Sequence, residues 1–170
     1  MKKTLGVLLV LATLVACNKN EEPIVVTTNE LHMAIDKVTE IMIHDIFSPP
    51  VASRIYAYPN IAAYEIIALN DEKYNSLVGQ AHELTAIPKP DTTKPVNYSL
   101  SALIAHMDVS SRVIFSEEQL AVFRDSLYGV WESKNSSEFS ASKDYGLQVA
   151  EHIAEWMNND NYNQTRTMPK

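Results

Sequence analysis

The stretch from Val51 to Leu69 reads VASRIYAYPNIAAYEIIAL. Wound at 3.6 residues per turn, it carries apolar or aromatic side chains nearly all round. A soluble helix of this kind is normally buried on every side, so it is expected to be the central helix of an all-α bundle. Pro49-Pro50 precedes it and suits a first helical turn, where a missing N–H costs little. Pro59 lies inside it. It removes a backbone donor and crowds the turn before it, so a kink is expected, or a break at Tyr58.

Working outward, a first helix is expected from a cap at Thr28 or Asn29 to about Phe47. Leu31, Ala34, Ile35, Val38, Ile41, Met42 and Ile46 form its apolar stripe. Tyr74 to Leu84 reads as weakly helical or irregular. Pro88-Lys89-Pro90-Asp91-Thr92-Thr93-Lys94-Pro95 can be neither helix nor central strand, which predicts a loop over about 85–98. A third helix is marked by Leu100, Leu103, Ile104, Met107 and Ile114. A fourth opens on the capping-box pattern Ser116-Glu117-Glu118-Gln119, with Leu120, Phe123, Leu127, Val130 and Trp131 as its stripe. A fifth runs from about Ser140 to Asn159. Gly146 inside it costs about 1 kcal/mol against alanine, and the close approach of a neighbouring helix would explain it. No period-two pattern occurs. The fold class is all-α, with about five helices.

Composition narrows the function. Of 170 residues, 46% are apolar and 21% charged, enough for a packed core. The net charge of −7 disfavours nucleic acid as a partner. Four glycines, one of them Gly6, leave no glycine-rich phosphate loop. Cys17 is the single cysteine, so neither an intrachain disulfide nor a cysteine metal cluster can form.

The surroundings of Cys17 are specific. Met1-Lys2-Lys3-Thr4 is followed by an apolar run from Leu5 to Val15, too short for a spanning helix. Leu14-Val15-Ala16-Cys17 resembles the lipobox of bacterial lipoproteins. The resemblance implies a signal peptide at 1–16, cleavage before Cys17, and diacylglycerol on its sulfur. The membrane would then be a partner through that lipid alone. Cleavage removes two lysines and moves the net charge from −7 to about −9. A polar tether is expected over 17–28. Its start, Asn18-Lys19-Asn20-Glu21-Glu22, resembles the charged stretch that sends some lipoproteins to the cell surface. The location implied is the cell envelope, at the outer membrane, periplasmic or surface-exposed.

Several side chains invite a chemical reading. His32, Asp36, Glu40 and His44 step by four along the first helix. The set spans about 18 Å of rise, so only adjacent pairs could share an ion, and a solvated face is the simpler reading. Arg54, Tyr56, Tyr58, Tyr64 and Glu65 cluster on the second helix. Arg54 and Glu65 are not an i,i+4 pair, so each is expected to reach a different helix. His106 and Asp108 do not face one way. His152, near Trp156, reads as a packed histidine. No metalloprotease, EF-hand, dinucleotide or nucleophile-elbow motif occurs. No catalytic, cofactor-binding or metal residue is assigned; the one site residue is Cys17, for lipidation.

Two segments carry a family likeness. One is residues 44–65, HDIFSPPVASRIYAYPNIAAYE; the other is residues 146–156, GLQVAEHIAEW, closed by Asn159-Asp160. Tyr74-Asn75-Ser76-Leu77 fits between them. Together they resemble the N-terminal half of exported vanadium-dependent haloperoxidase-like proteins of Bacteroidetes, in the superfamily that also holds type-2 phosphatidic acid phosphatases. The resemblance covers about residues 40–160. It implies a partial bundle over 29–160, normally completed by a C-terminal catalytic helical bundle, with 161–170 the start of a linker or a truncated continuation.

In that family the oxyanion pocket uses a Lys, an Arg before a Pro, a Ser-Gly-His stretch and a later Arg with a histidine. Here Arg54, Arg112, Arg124 and Arg166 precede Ile, Val, Asp and Thr, and no glycine precedes a histidine. The resemblance therefore implies a non-catalytic scaffold segment that needs no cofactor of its own. Its parent would hold vanadate and oxidise halide with peroxide, or hydrolyse phosphomonoesters. The alternative is a stand-alone lipid-anchored binding or accessory module.

Overall fold

Thr27 starts the first helix, one residue ahead of the expected caps. Its hydroxyl accepts from the Asn29 N–H at 3.2 Å, and the Glu30 carboxylate accepts from the Thr27 N–H at 2.9 Å. These reciprocal bonds satisfy donors that a helix start otherwise leaves open. The computed structural model describes residues 21–166, so the expected signal peptide and Cys17 lie outside the described residues.

Helix α1 spans Thr28–His44 and buries Ala34, Val38, Ile41 and Met42. It stops short of Phe47. The Ile46 N–H reaches the Ile43 carbonyl and the Phe47 N–H the Met42 carbonyl, both at 3.3 Å, with Ile46 left-handed at φ 56. That is a Schellman ending, with isoleucine where glycine is usual. Ile46, expected on the buried stripe, is 82% exposed because the turn carries it off the helical period.

Helix α2 spans Pro49–Asn70, with the prolines in its first turn, and it runs unbroken through Pro59. The break considered at Tyr58 does not occur. Nor is α2 the central helix. That place belongs to α3, Tyr98–Ser111, where ten of fourteen residues are buried. It packs against α1, α2, and the two helices that follow. One flank of α2 stays open.

The intervening loop is longer than expected, from 71 to 97, and side chains fix it to the bundle. Tyr64 Oη donates to the Asn75 carbonyl, Trp156 Nε1 to that of His82, and Tyr145 Oη to that of Pro88. Leu84 and Ile87 are buried.

Helix α4, Glu117–Lys134, lies at the periphery. Leu120 and Trp131 are buried, while Val130, expected on the same stripe, is exposed. Its expected capping box is not formed. Instead Asp45, at the end of α1, accepts from the N–H groups of Phe115 and Ser116 and from the Ser116 hydroxyl. Helix α5, Ser136–Asn159, begins four residues before the expected start because Asn135 caps it, accepting from the Glu138 N–H. A Cβ added at Gly146 would lie 2.7 Å from the Ser101 carbonyl oxygen of α3. The close approach inferred for this glycine is present. A short α6, Tyr162–Arg166, places buried Tyr162 against the Val113 carbonyl. No strand occurs among the described residues.

The chain ahead of α1 is fastened too. Ile24 is buried; its N–H donates to Glu138 Oε2 and its carbonyl accepts from Asn97 Nδ2. Asn97 also caps α3 through Leu100 N–H.

Candidate functional site

The side chains singled out on α2 divide their work. Arg54 Nη2 donates to Asp160 Oδ2 at 2.9 Å and to the Asp160 carbonyl at 3.0 Å. Tyr58 Oη donates to the same carboxylate at 2.7 Å. Burial and that bond hold the Tyr58 phenol neutral by pushing its pKa up. Glu65 turns the other way. Buried, it accepts from Ser76 Oγ at 2.6 Å and from the Leu77 N–H at 2.7 Å, fixing the start of the loop. Arg54 thus reaches the end of another helix, as its spacing implies, whereas Glu65 reaches the loop and not the helix expected for it. Both are structural ties rather than chemistry.

The histidines stand apart. His32, Asp36, Glu40 and His44 lie exposed along α1, with Glu40 paired to Lys37 at 3.0 Å. No group of three or more His, Cys, Asp or Glu that could hold a metal occurs among the described residues. His106 is buried inside α3, and its Nδ1 has no hydrogen-bond partner among the described residues. Desolvation lowers its pKa to about 4, so it is neutral at ordinary pH. Its neighbour Asp108 faces Arg112 at 2.9 Å. His152 Nε2 lies 3.1 Å from the Thr85 carbonyl and helps to hold the loop.

The arginines do not converge. Arg54 and Arg166 flank the Tyr58–Tyr162 corner, Arg54 on Asp160 and Arg166 over the Phe115 ring at 4.1 Å. Arg112 bridges Asp108 and Glu151, and Arg124 pairs with Asp125. Three of the four thus meet carboxylates. A vanadate or phosphate centre needs several donors aimed at one oxyanion. These residues do not fit one.

What the molecule does offer is a groove. It lies between α1, α2 and α3 and has a volume of about 710 Å³. Ala57, Asn60, Ile61, Tyr64 and Ile67 of α2 form one wall; Leu31 of α1 and Ser99, Ala102 and Leu103 of α3 face them. Among the described residues no charged side chain lines it. Its signal in the sequence is the all-round apolarity of α2, which exceeds what this chain buries; the residues of α1 and α3 that face it carry no such signal.

Among the described residues no helix is long and apolar enough to cross a membrane. No protein-family model matches the chain, and no curated protein matches it. Among solved structures, the crystal structure of a bacterial vanadium-dependent iodoperoxidase superposes with a TM-score of 0.86 at 68% sequence identity. The match covers 88% of this chain and 36% of that one, so the chain spans about a third of its relative's length. Likeness of that degree, in sequence and backbone together, makes this chain an all-helical segment homologous to a vanadium-dependent haloperoxidase.

Proposed function

We propose that the chain is the non-catalytic helical scaffold of an exported, lipid-anchored haloperoxidase-like protein. The observation that carries this reading is the 68% identity to an iodoperoxidase of which the chain spans only 36%. The arginines support it too, because they are spent on carboxylates and rings instead of an oxyanion. In the parent, vanadate would supply halide oxidation by peroxide, held by residues outside this segment. Helices α1, α2, α3 and α5 would supply a rigid body against which those residues are positioned. Diacylglycerol on Cys17 would anchor the assembly in the cell envelope, at the outer membrane.

The test is an activity comparison. Purified residues 18–170 are expected to give no iodide or bromide oxidation above a blank protein, with vanadate and peroxide supplied, and no phosphatase turnover. The same residues, joined to the remaining part of the homologous iodoperoxidase in place of its own matching segment, are expected to oxidise iodide. Saturable turnover by residues 18–170 alone, lost on substitution of one histidine, would overturn the proposal.

A further inference from the structure

The groove between α1, α2 and α3 has a lining that states what it can take. Along α2 its contacts step by three and four over residues 57–67, about three helical turns. Several polar groups in the wall are already engaged, and the hydroxyls of Thr28, Tyr74 and Ser99 are the remaining ones. Tyr64 Oη donates to the Asn75 carbonyl and Asn60 Nδ2 to that of Tyr56, each at 2.8 Å. The Thr27 hydroxyl is taken up in the α1 cap. The groove therefore offers mostly apolar area with three scattered hydroxyls and no charge among the described residues, which suits an apolar surface better than an anion or a sugar.

Its shape suits a helix. Rows at steps of three and four leave the furrows into which a second helix lays its ridges. Ala57, Ser99 and Ala102 are small and let a backbone come near. The volume of about 710 Å³ has room for several apolar side chains, one face of a short amphipathic segment. An occupant is also at hand, because nearly two thirds of the homologous iodoperoxidase lies outside the part this chain matches.

We propose that this groove is the seat of an apolar helix from the part of the haloperoxidase fold that this chain does not span. The proposal rests on the scaffold reading above and adds the place of contact. Ala57→Cys and Ser99→Cys put thiols in the groove, and Ser133→Cys puts a control on exposed α4. Residues 18–170 carry no native thiol, because Cys17 precedes them. Labelling by N-ethylmaleimide is followed site by site by mass spectrometry, in residues 18–170 alone and in the iodoperoxidase chimera.

In the chain alone, the groove thiols are expected to label within about threefold of the control. In the chimera they are expected to label at least about tenfold slower than it, since reaction requires access. Equal labelling in a folded, iodide-oxidising chimera overturns the groove and leaves the scaffold reading standing. A chimera that does not fold, by near-UV circular dichroism, overturns both. Protection in the isolated chain that grows with its concentration assigns the groove to a second copy. Protection there by phosphatidylcholine vesicles assigns it to an acyl chain. Either of those results replaces the proposed occupant.

Discussion

Arg54 and Asp160 are 106 positions apart in sequence and 2.9 Å apart in space. Their pairing joins the first turns of α2 to the end of α5, and Tyr58 Oη secures the same carboxylate. Both side chains keep solvent contact, so the charge term alone is worth at most about 1 kcal/mol. The added hydrogen bonds raise the whole tie to about 2 kcal/mol. A double-mutant cycle of Arg54→Met with Asp160→Asn, read by urea unfolding, should return a coupling of about 1 kcal/mol. Additive losses would mean that the tie contributes nothing to stability.

The glycines of α4 and α5 should respond with opposite signs. Gly129 has no atom within 4 Å of an added Cβ, and Gly129→Ala should stabilise by about 0.5–1 kcal/mol through helix propensity. Gly146→Ala gains the same propensity but drives its methyl against the Ser101 backbone and the Ile104 side chain. A net loss of about 1–3 kcal/mol is expected, since overpacking here has no flexible neighbour to yield. Thermal melts of the two variants decide it, and a stabilised Gly146→Ala would refute the close approach.

Ile46 holds a left-handed backbone at φ 56 while its side chain is in solvent. A β-branched residue there costs about 1–2 kcal/mol, and its exposed side chain gains little burial among the described residues to offset it. Ile46→Gly should therefore raise the unfolding midpoint by about 0.5–1 kcal/mol equivalent, after the extra freedom glycine gives the unfolded chain. No gain, with α1 intact by circular dichroism, would show that the turn is unstrained.

Acid should act through His106. Unfolded, its pKa is the ordinary 6.5; folded, desolvation holds it at about 4. Between those values the unfolded chain binds the extra proton, so stability falls as pH drops from 6.5 to 4. The loss approaches about 3 kcal/mol at the lower end. Burial works to raise Asp45, but the hydrogen bonds from Ser116 and Phe115 outweigh it and keep its carboxyl below 3.8, so its own contribution is lost only at lower pH. His106→Leu should flatten the slope between pH 6.5 and 4. An unchanged slope in urea titrations at pH 7, 5.5 and 4.5 would exclude His106 as its source.

Lipidation is tested on the intact gene product. Cys17→Ser should leave the chain exported but without fatty acid, because only a thiol accepts the diacylglycerol. A metabolic fatty-acid probe should mark wild type and miss the variant. Equal marking of both would disprove the anchor.

The helices were legible because their periods are local. Stripes such as Ala34–Val38–Ile41 and Ala150–Ile153–Met157 place themselves by spacing alone. Their ends were less legible. Asp45 caps α4 from another helix, so the Ser116 pattern suggested a box that the structure does not use. Ile46 and Val130 fit their stripes by period, yet neither is covered: a turn diverts one, and a peripheral helix exposes the other. The open flank of α2 was legible only as an excess of apolarity, which does not tell burial within a chain from burial against something beyond it. Hence α2 read as central while α3 holds that position.

The bond from Ile24 to Glu138 spans 114 positions and carries a consequence in time. A chain made from its N-terminus at about 5–20 residues per second presents Ile24 roughly 6–23 s before Glu138 exists. Until then the peptide groups that Glu138 and Asn97 will hold stay in water. The strand of chain leading to α1 is thus among the last parts to be secured. Such late fastening accords with the export proposed above, in which the polypeptide is threaded through a membrane before it folds.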